Sequence, residues 1–406
     1  GLTRIDADTV ASPGSWEAAL RGLGAALGGA LSGWRRPRGW ADPPVEAIRQ
    51  GEQAERGGAL GGGSASGPSS TASEAVAVCI VTHHDAADVP ACFAAIAALE
   101  HRPLEVVVVD CASGDGTPAV VEREAAALRR AGVPVALLAL ADNRGFAGGM
   151  NAAFAACGAP WLLTLNADAR PAPGYLGRLL ARAAAHPELA VGAVTGRLVR
   201  PAEPGQARRL DACGMRLTRT WRHLDRGSSE PDRGQYARPE RVFGGTGAAT
   251  LFRRAALDDA ALAGEVFDPR FHSFREDAEL AFRLRERGWE VLYEPAAVAE
   301  HRRRVLPERR AALPAAANLH SLKNRYLLRV YHQTGRNLLR TLLPAAARDL
   351  AALAYVLAAE RSSLPAYAWL WRHRRELLAR RRAIQARRRV PPAEIDRWFG
   401  IEGLPL

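Results

Sequence analysis

Two short acidic stretches carry the side chains best suited to chemistry. Residues 160–171 read PWLLTLNADARP, an apolar run of strand character that breaks at Asn166 into a lone carboxylate, Asp168. Residues 274–295 read FREDAELAFRLRERGWEVLYEP and set Glu276 and Asp277 at the head of a helical pattern. An acid at a strand tip can start a turn by bonding its own backbone, or it can hold a hard divalent cation. An acid at a helix start can complement the dipole, worth about 0.3 to 1 kcal/mol, or, if it faces inward, take a proton from a reacting hydroxyl. From Asp277, steps of three, four and seven reach Leu280, Ala281 and Leu284, which puts it on the apolar stripe. Glu276 shares its face with Glu279 and Arg283 and reads as the more solvated of the two.

The elements that must position these acids are legible around them. Strands are predicted at 76–82, 104–110, 135–140 and 161–166, and helices near 89–99, 118–131, 149–157 and 174–185. Continuous β-branched runs alternating with helices imply an α/β fold with a mainly parallel sheet covered on both faces. Ligands of such sheets sit beyond the carboxyl ends of the strands. The polar residues there, 82–85, 110–117, 142–151 and 166–168, should therefore converge on one rim. The turn after the first strand, THHDAADVP, has no glycine, so it is no dinucleotide fingerprint, and no GxxxxGK[ST] loop is present. With no backbone cradle for phosphate, a carboxylate-held Mg²⁺ or Mn²⁺ is the natural substitute, and Asp168 is placed to hold it.

Six motifs in order, VCIVTHHDAADVPACFAAI, VVVVDCASGDGT, NRGFAGGMNAAF, LLTLNADA, GGTGAATLFRRAAL and FREDAELAFRLRERGW, resemble the family 2 glycosyltransferases of GT-A fold, especially the rhamnosyltransferase-like group of bacterial surface polysaccharide synthesis. The resemblance spans roughly 75–305. It implies a Rossmann-like, mixed but mainly parallel sheet and an inverting, metal-dependent transfer of a sugar, rhamnose among the candidates, from a nucleoside-diphosphate sugar to a glycan or polyprenyl-linked acceptor. It further implies that Thr82 and Asp110 contact base and ribose and that Asn143 and Gly145 line the donor pocket. By the same likeness Asn166 replaces the first acid of the DxD-type motif, Asp168 is its metal-binding acid and His301 approaches the metal or diphosphate. Asp277 then fits the general base. Taken singly, Asp110 and Asn143 also suit turns, and His301 suits a solvated basic turn. His83-His84, Cys111 and Arg302 to Arg304 depart from the usual pattern.

Composition frames the rest. Residues 1–74 form an N-terminal extension with one weak helical stretch at 16–31 and a Gly/Ser-rich linker at 57–73; 75–305 is the expected catalytic domain; 306–406 is a basic, amphipathic helical region. Ten arginines against one acid between Arg361 and Arg389 supply most of the net charge of +12. This run and the apolar stretch 338–359, broken by Arg348-Asp349, predict docking on an anionic membrane face, hence a peripheral protein on the cytoplasmic side. No run of about 18 uninterrupted apolar residues exists, so no spanning helix is expected. Five cysteines without a CxxC pair suit a reducing compartment, and the first residues do not read as a signal peptide. The competing classes are a sugar-phosphate nucleotidyltransferase, whose glycine- and lysine-rich phosphate loop is missing, and a nucleic-acid binder. No nucleic-acid partner is expected, because Tyr367, Trp369 and Trp371 precede the arginines as an interfacial anchor would.

Overall fold

Val76–Thr82 (β1), Leu104–Cys111 (β2), Val135–Leu140 (β3) and Trp161–Asn166 (β4) are the four strands expected from the alternation of apolar runs and helices. They run parallel in the order β3-β2-β1-β4. Between them lie α1 (Val89–Ala97), α2 (Thr117–Arg130) and α3 (Gly145–Ala155), and α4 (Tyr175–Ala184) follows a three-residue strand, β5 (Ala169–Pro171). Val76, Val78 and Ile80 enter one apolar cluster while Ala77 and Cys79 enter another. Both faces of β1 are thus buried, which is why its sequence shows no alternation. The computed structural model describes residues 74–202, 204–303 and 314–406. The expected 16–31 helix and the 57–73 linker lie outside the described residues.

The second half extends this sheet in mixed sense. Its strands are β6 (Val191–Val199), β7 (Leu210–Ala212), β10 (Glu240–Arg241), β11 (Ala249–Arg253), β12 (Glu290–His301) and β13 (Leu404–Pro405); β8 (Met215–Leu217) and β9 (His223–Asp225) form a separate ribbon. The full order is β13-β10-β12-β6-β11-β4-β1-β2-β3, with β5 on β12 and β7 on β6. This is the mixed, mainly parallel α/β sheet with helical flanks expected, followed by C-terminal helices. Two further helices complete the flank, α5 (Arg254–Ala260) and α6 (Glu276–Glu286).

Helix α6 corrects the helical phasing. Glu276, Glu279, Arg283, Arg285 and Glu286 are buried along with the apolar stripe. The C-terminal helices are α7 (Ala315–His332), α8 (Gly335–Ala358), α9 (Pro365–Arg372), α10 (Arg374–Ala386) and α11 (Pro392–Asp396), and the charged face is not solvated because α7 and the turn after α10 bring charges to it. His332 reaches Glu286 at 3.1 Å, and Arg388 reaches the same carboxylate at 2.6 Å. Phe243 and Phe282 share one apolar cluster with Leu327, Tyr331, Trp369, Ile384 and Trp398, and β13 returns to pair with β10.

Two expectations about the C-terminal region change. Part of the arginine run is internal: Arg380 meets buried Asp268 at 2.9 Å, Arg381 donates to the carbonyls of Val330 and Gln333, and Arg387 donates to Asp259 O at 3.0 Å. Helix α8 is continuous through Arg348-Asp349, and by length and composition alone it is apolar enough to cross a membrane. The interruption does not end it because Asp349 pairs with Arg325 at 2.6 Å and with Arg329, both on α7.

Candidate functional site

At the strand tips the rim is built by reciprocal side-chain bonds. Asp110, next to last in β2, lies beside Thr82 at the end of β1, because the two strands pair in register. Thr82 Oγ1 donates to Asp110 Oδ1 at 2.8 Å; Ser113 Oγ and the Ser113 amide also donate to this carboxylate, at 2.6 and 2.9 Å. Asp110 is therefore the turn-former that its local sequence allows, and Thr82, fully buried, fixes it from the next strand. Asn143 is exposed and accepts the Gly145 amide at 2.8 Å, which shapes the entry to α3. Gly145 sits at φ +65°, and a Cβ there would lie 2.5 Å from the His272 carbonyl and 2.6 Å from its ring. Only glycine lets the rim and the 272 loop approach so closely.

Asp168 and His301 meet through sheet register. The β4–β5 turn carries Asp168, and β5 pairs antiparallel with β12 so that His301 stands opposite Ala169. His301 Nε2 lies 3.2 Å from Asp168 Oδ1 and 3.4 Å from Asn166 Nδ2. Its other nitrogen lies 2.7 Å from Asp211 Oδ2. Asp211, central in β7 and fully buried, had no signal in the sequence: it belongs to no motif, and the pairing of β7 with β6 brings it in. Burial alone would lower the imidazole's pKa; hydrogen bonds to Asp168 and Asp211 reverse that and raise it to about 9. Burial pushes Asp211 up, but His301 and Arg303 more than offset this and hold it below the ordinary value. Arg303, one of the departures from pattern, bonds Asp211 at 3.0 Å and also pairs with Asp225.

Asp277 lies within the electrostatic reach of Arg303. Its Oδ2 accepts the Gly247 amide at 3.2 Å, and α6 comes this near because a Cβ on Gly244 would stand 2.5 Å from Ala281 Cβ. Burial, then the charge of Asp225, raises Asp277 from its ordinary value to about 6, while Arg303 pulls the other way. Burial, then Asp277, holds Glu276 well above the carboxylate range. The approach to this pair is strained: His272, Phe274 and Arg275 all have positive φ, at 61°, 72° and 71°. Asn324 of α7, buried, holds the loop by donating from Nδ2 to the carbonyls of Phe271, Ser273 and Phe274 at 2.8, 2.9 and 2.7 Å. The sequence offered no sign of Asn324, since the contact spans about fifty residues.

The rim thus pins one acid at a strand tip, sets a His–Asp pair beside it and faces a carboxylate raised by burial. Residues 77–260 match the family model described as Glycosyl transferase family 2. That segment, just under half of the chain, is similar to a family 2 glycosyltransferase domain. The match takes in Thr82, Asp110, Asn143, Gly145, Asn166 and Asp168 and ends before Asp277 and His301, so the latter two rest on the contacts just given. No curated protein matches the chain. Among solved structures, the mannosyltransferase PcManGT from Pyrobaculum calidifontis, in complex with GDP-Man and Mn²⁺, is 20% identical over 93% of this chain and 89% of its own, with a TM-score of 0.45. S. aureus TarS 1-349 is 14% identical over 77% of this chain and 90% of its own, also with a TM-score of 0.45. At such scores these likenesses decide nothing by themselves.

Proposed function

We propose that the protein is an inverting glycosyltransferase that moves a sugar from a nucleoside-diphosphate sugar to a hydroxyl of a glycan or polyprenyl-linked acceptor. Rhamnose is the first sugar to test, and surface polysaccharide synthesis on the cytoplasmic side of the membrane is the setting. The observation that carries the reading is Asp277, a carboxylate raised to about 6 and aimed by the Gly247 amide, beside a rim where Arg303 links Asp225 to the Asp211–His301–Asp168 chain. Asp277 accepts the acceptor's proton as its oxygen bonds to the anomeric carbon. The bond from that carbon to the diphosphate breaks in the same displacement, and the nucleoside diphosphate departs with the electron pair.

The residues present fit a divalent metal ion. Neighbouring ligands of an octahedral ion with bonds near 2.1 Å stand about 3 Å apart, and Asp168 Oδ1 and His301 Nε2 are 3.2 Å apart. Among the described residues no group of three His, Cys, Asp or Glu side chains is placed to hold a metal. Asp168 and His301 would be its protein ligands, and Mg²⁺ and Mn²⁺ are the ions to test. When bound, the ion supplies charge to the leaving diphosphate. His301 must give up its Nε2 proton to ligate, and Asp211 holds the ring in place for that.

The test is incubation with a panel of nucleotide sugars and Mn²⁺, scored by the product released. Free nucleoside diphosphate, lost in Asp277→Asn, supports transfer. Release of pyrophosphate would instead make the protein a nucleotidyltransferase and end this reading.

A further inference from the structure

Helix α8 lies on the molecule by one face only. Asn337, Thr341, Ala345 and Val356 are buried; Thr341 Oγ1 accepts the Trp221 indole N–H at 3.0 Å, and Asn337 donates to Asp396 at 3.1 Å. The opposite face is apolar and uncovered. Of the seven large hydrophobic side chains that are exposed among the described residues, six are Leu339, Leu342, Leu343, Leu350, Tyr355 and Leu357. Leu343, Leu350 and Leu357 recur every seven residues, so they share one stripe, and Leu343 is 80% exposed. From 341 to 360 every exposed residue is Leu, Ala or Tyr. At about 1.5 Å per residue this face runs about 25 Å. Exposed Arg336 and Arg340 bound it at one end and exposed Arg361 at the other.

We propose that this face is an anionic lipid-binding surface, on which α8 lies in the plane of the bilayer interface. Scattered exposed leucines need no explanation, but a continuous, charge-free face rimmed by cations does. Such a face seats its side chains at the boundary between headgroups and acyl chains, while the arginines extend to lipid phosphates. A spanning role is disfavoured because the other face is polar and bonded to the body, and because crossing would strand Asp349 and its two arginines in hydrocarbon. A second copy is also disfavoured. Antiparallel two-fold packing would set Arg336 and Arg340 beside the other copy's Arg361, with no exposed acid on the face to offset them. The proposal stands apart from the transfer reaction, since binding is measured without donor or acceptor.

The experiment is flotation of the full chain with phosphatidylcholine vesicles, with and without about one third phosphatidylglycerol. Wild type is expected to float with the anionic vesicles and to be released by salt. Leu343→Glu/Leu350→Glu should weaken binding more than about tenfold, and Arg340→Gln/Arg361→Gln about fivefold per residue. Neither variant should lose melting temperature or transfer to a soluble acceptor. Failure of wild type to float, equal flotation with pure phosphatidylcholine, or unchanged binding of the leucine variant would overturn the proposal. So would a wild-type dimer that the leucine variant dissociates, which assigns the face to a second copy. A lowered melting temperature in that variant together with no vesicle binding assigns it to this chain's own residues 1–73 and also overturns it.

Discussion

Asp277, the proposed base, is where chemistry can be separated from folding. Its carboxyl is raised from 3.8 to about 6 by burial and by Asp225, so the folded state holds the proton more tightly than the unfolded chain does. Ionisation therefore withdraws stability as pH climbs from the ordinary value toward 6, and the loss is complete above it. Asp277→Asn should thus melt no lower than wild type at pH 8 while turnover falls by about 10² to 10⁴, with donor affinity unchanged. Wild-type turnover should decline as pH falls through about 6. A mutant that melts lower and turns over normally would make Asp277 a helix-start acid and nothing more. Glu276→Gln should cost less, because Glu276 is buried and one of its oxygens has no partner. Asp168→Asn should weaken donor binding in the presence of Mn²⁺ with little change in melting temperature, and calorimetry with donor plus Mn²⁺ checks it. Normal donor affinity in that mutant would return Asp168 to the turn role that its place in the sequence also allowed. Asp168 and Asp277 were legible as candidates because each sits in a quoted motif near an element's end, and His301 because it follows the apolar strand after the last motif. Asp211 and Arg303 were not, because only the pairing of β7 with β6 and a bend at Arg303, φ +43°, bring them to His301 and Asp225.

At the scale of elements, β1, β3 and β4 begin and end where their apolar runs do, since a strand buried on both faces announces itself by composition alone. Contacts that depend on a partner far away in sequence could not be read in this way. Helix α6 is the clearest case: its charged face reads as solvated until α7 and α10 supply His332 and the Arg388 that follows. The same helix α7 carries Asn324, whose amide satisfies three carbonyls of the loop that ends in Glu276-Asp277. Replacing it by Ala leaves those carbonyls buried without that donor, which costs about 1 to 3 kcal/mol. It also frees a segment held at three positive φ values. Turnover should fall more than donor affinity, because Asn324 bonds the loop that leads into Glu276-Asp277 and meets the proposed donor rim only through His272 against Gly145. Val356→Ala on α8, a cavity mutation of similar cost, is the control. If both variants lose turnover in proportion to melting temperature, Asn324 is structural only; if Asn324→Ala alone loses it at low temperature, the amide positions the base.

The whole molecule turns a charge excess into architecture. Read from the sequence, the arginines between 361 and 389 form one basic surface. In the fold they divide, with Arg380 and Arg388 directed at buried Asp268 and Glu286 and Arg375 and Arg382 left exposed. Asp268 also accepts the Tyr331 hydroxyl and pairs with Arg270; burial pushes its pKa up, but Arg380 and then Arg270 more than offset this and lower it. A sequence cannot show this division, because a helix with charges on several faces carries no mark of which face a distant acid will meet. The division has a measurable consequence. Removing one partner of a buried ion pair strands the other, at about 3 to 5 kcal/mol, whereas an exposed charge is worth about 0 to 1 kcal/mol. Arg380→Ala and Arg388→Ala should therefore lower the unfolding free energy by several kcal/mol, and the loss should persist in high salt because buried pairs are weakly screened. Arg375→Ala and Arg382→Ala should unfold like wild type. Denaturant titration of the four variants at low and high salt decides between the two pictures. Four equal, salt-sensitive losses would mean that the arginines act together as a surface field, and that the C-terminal helices are not locked to α6 by Asp268 and Glu286.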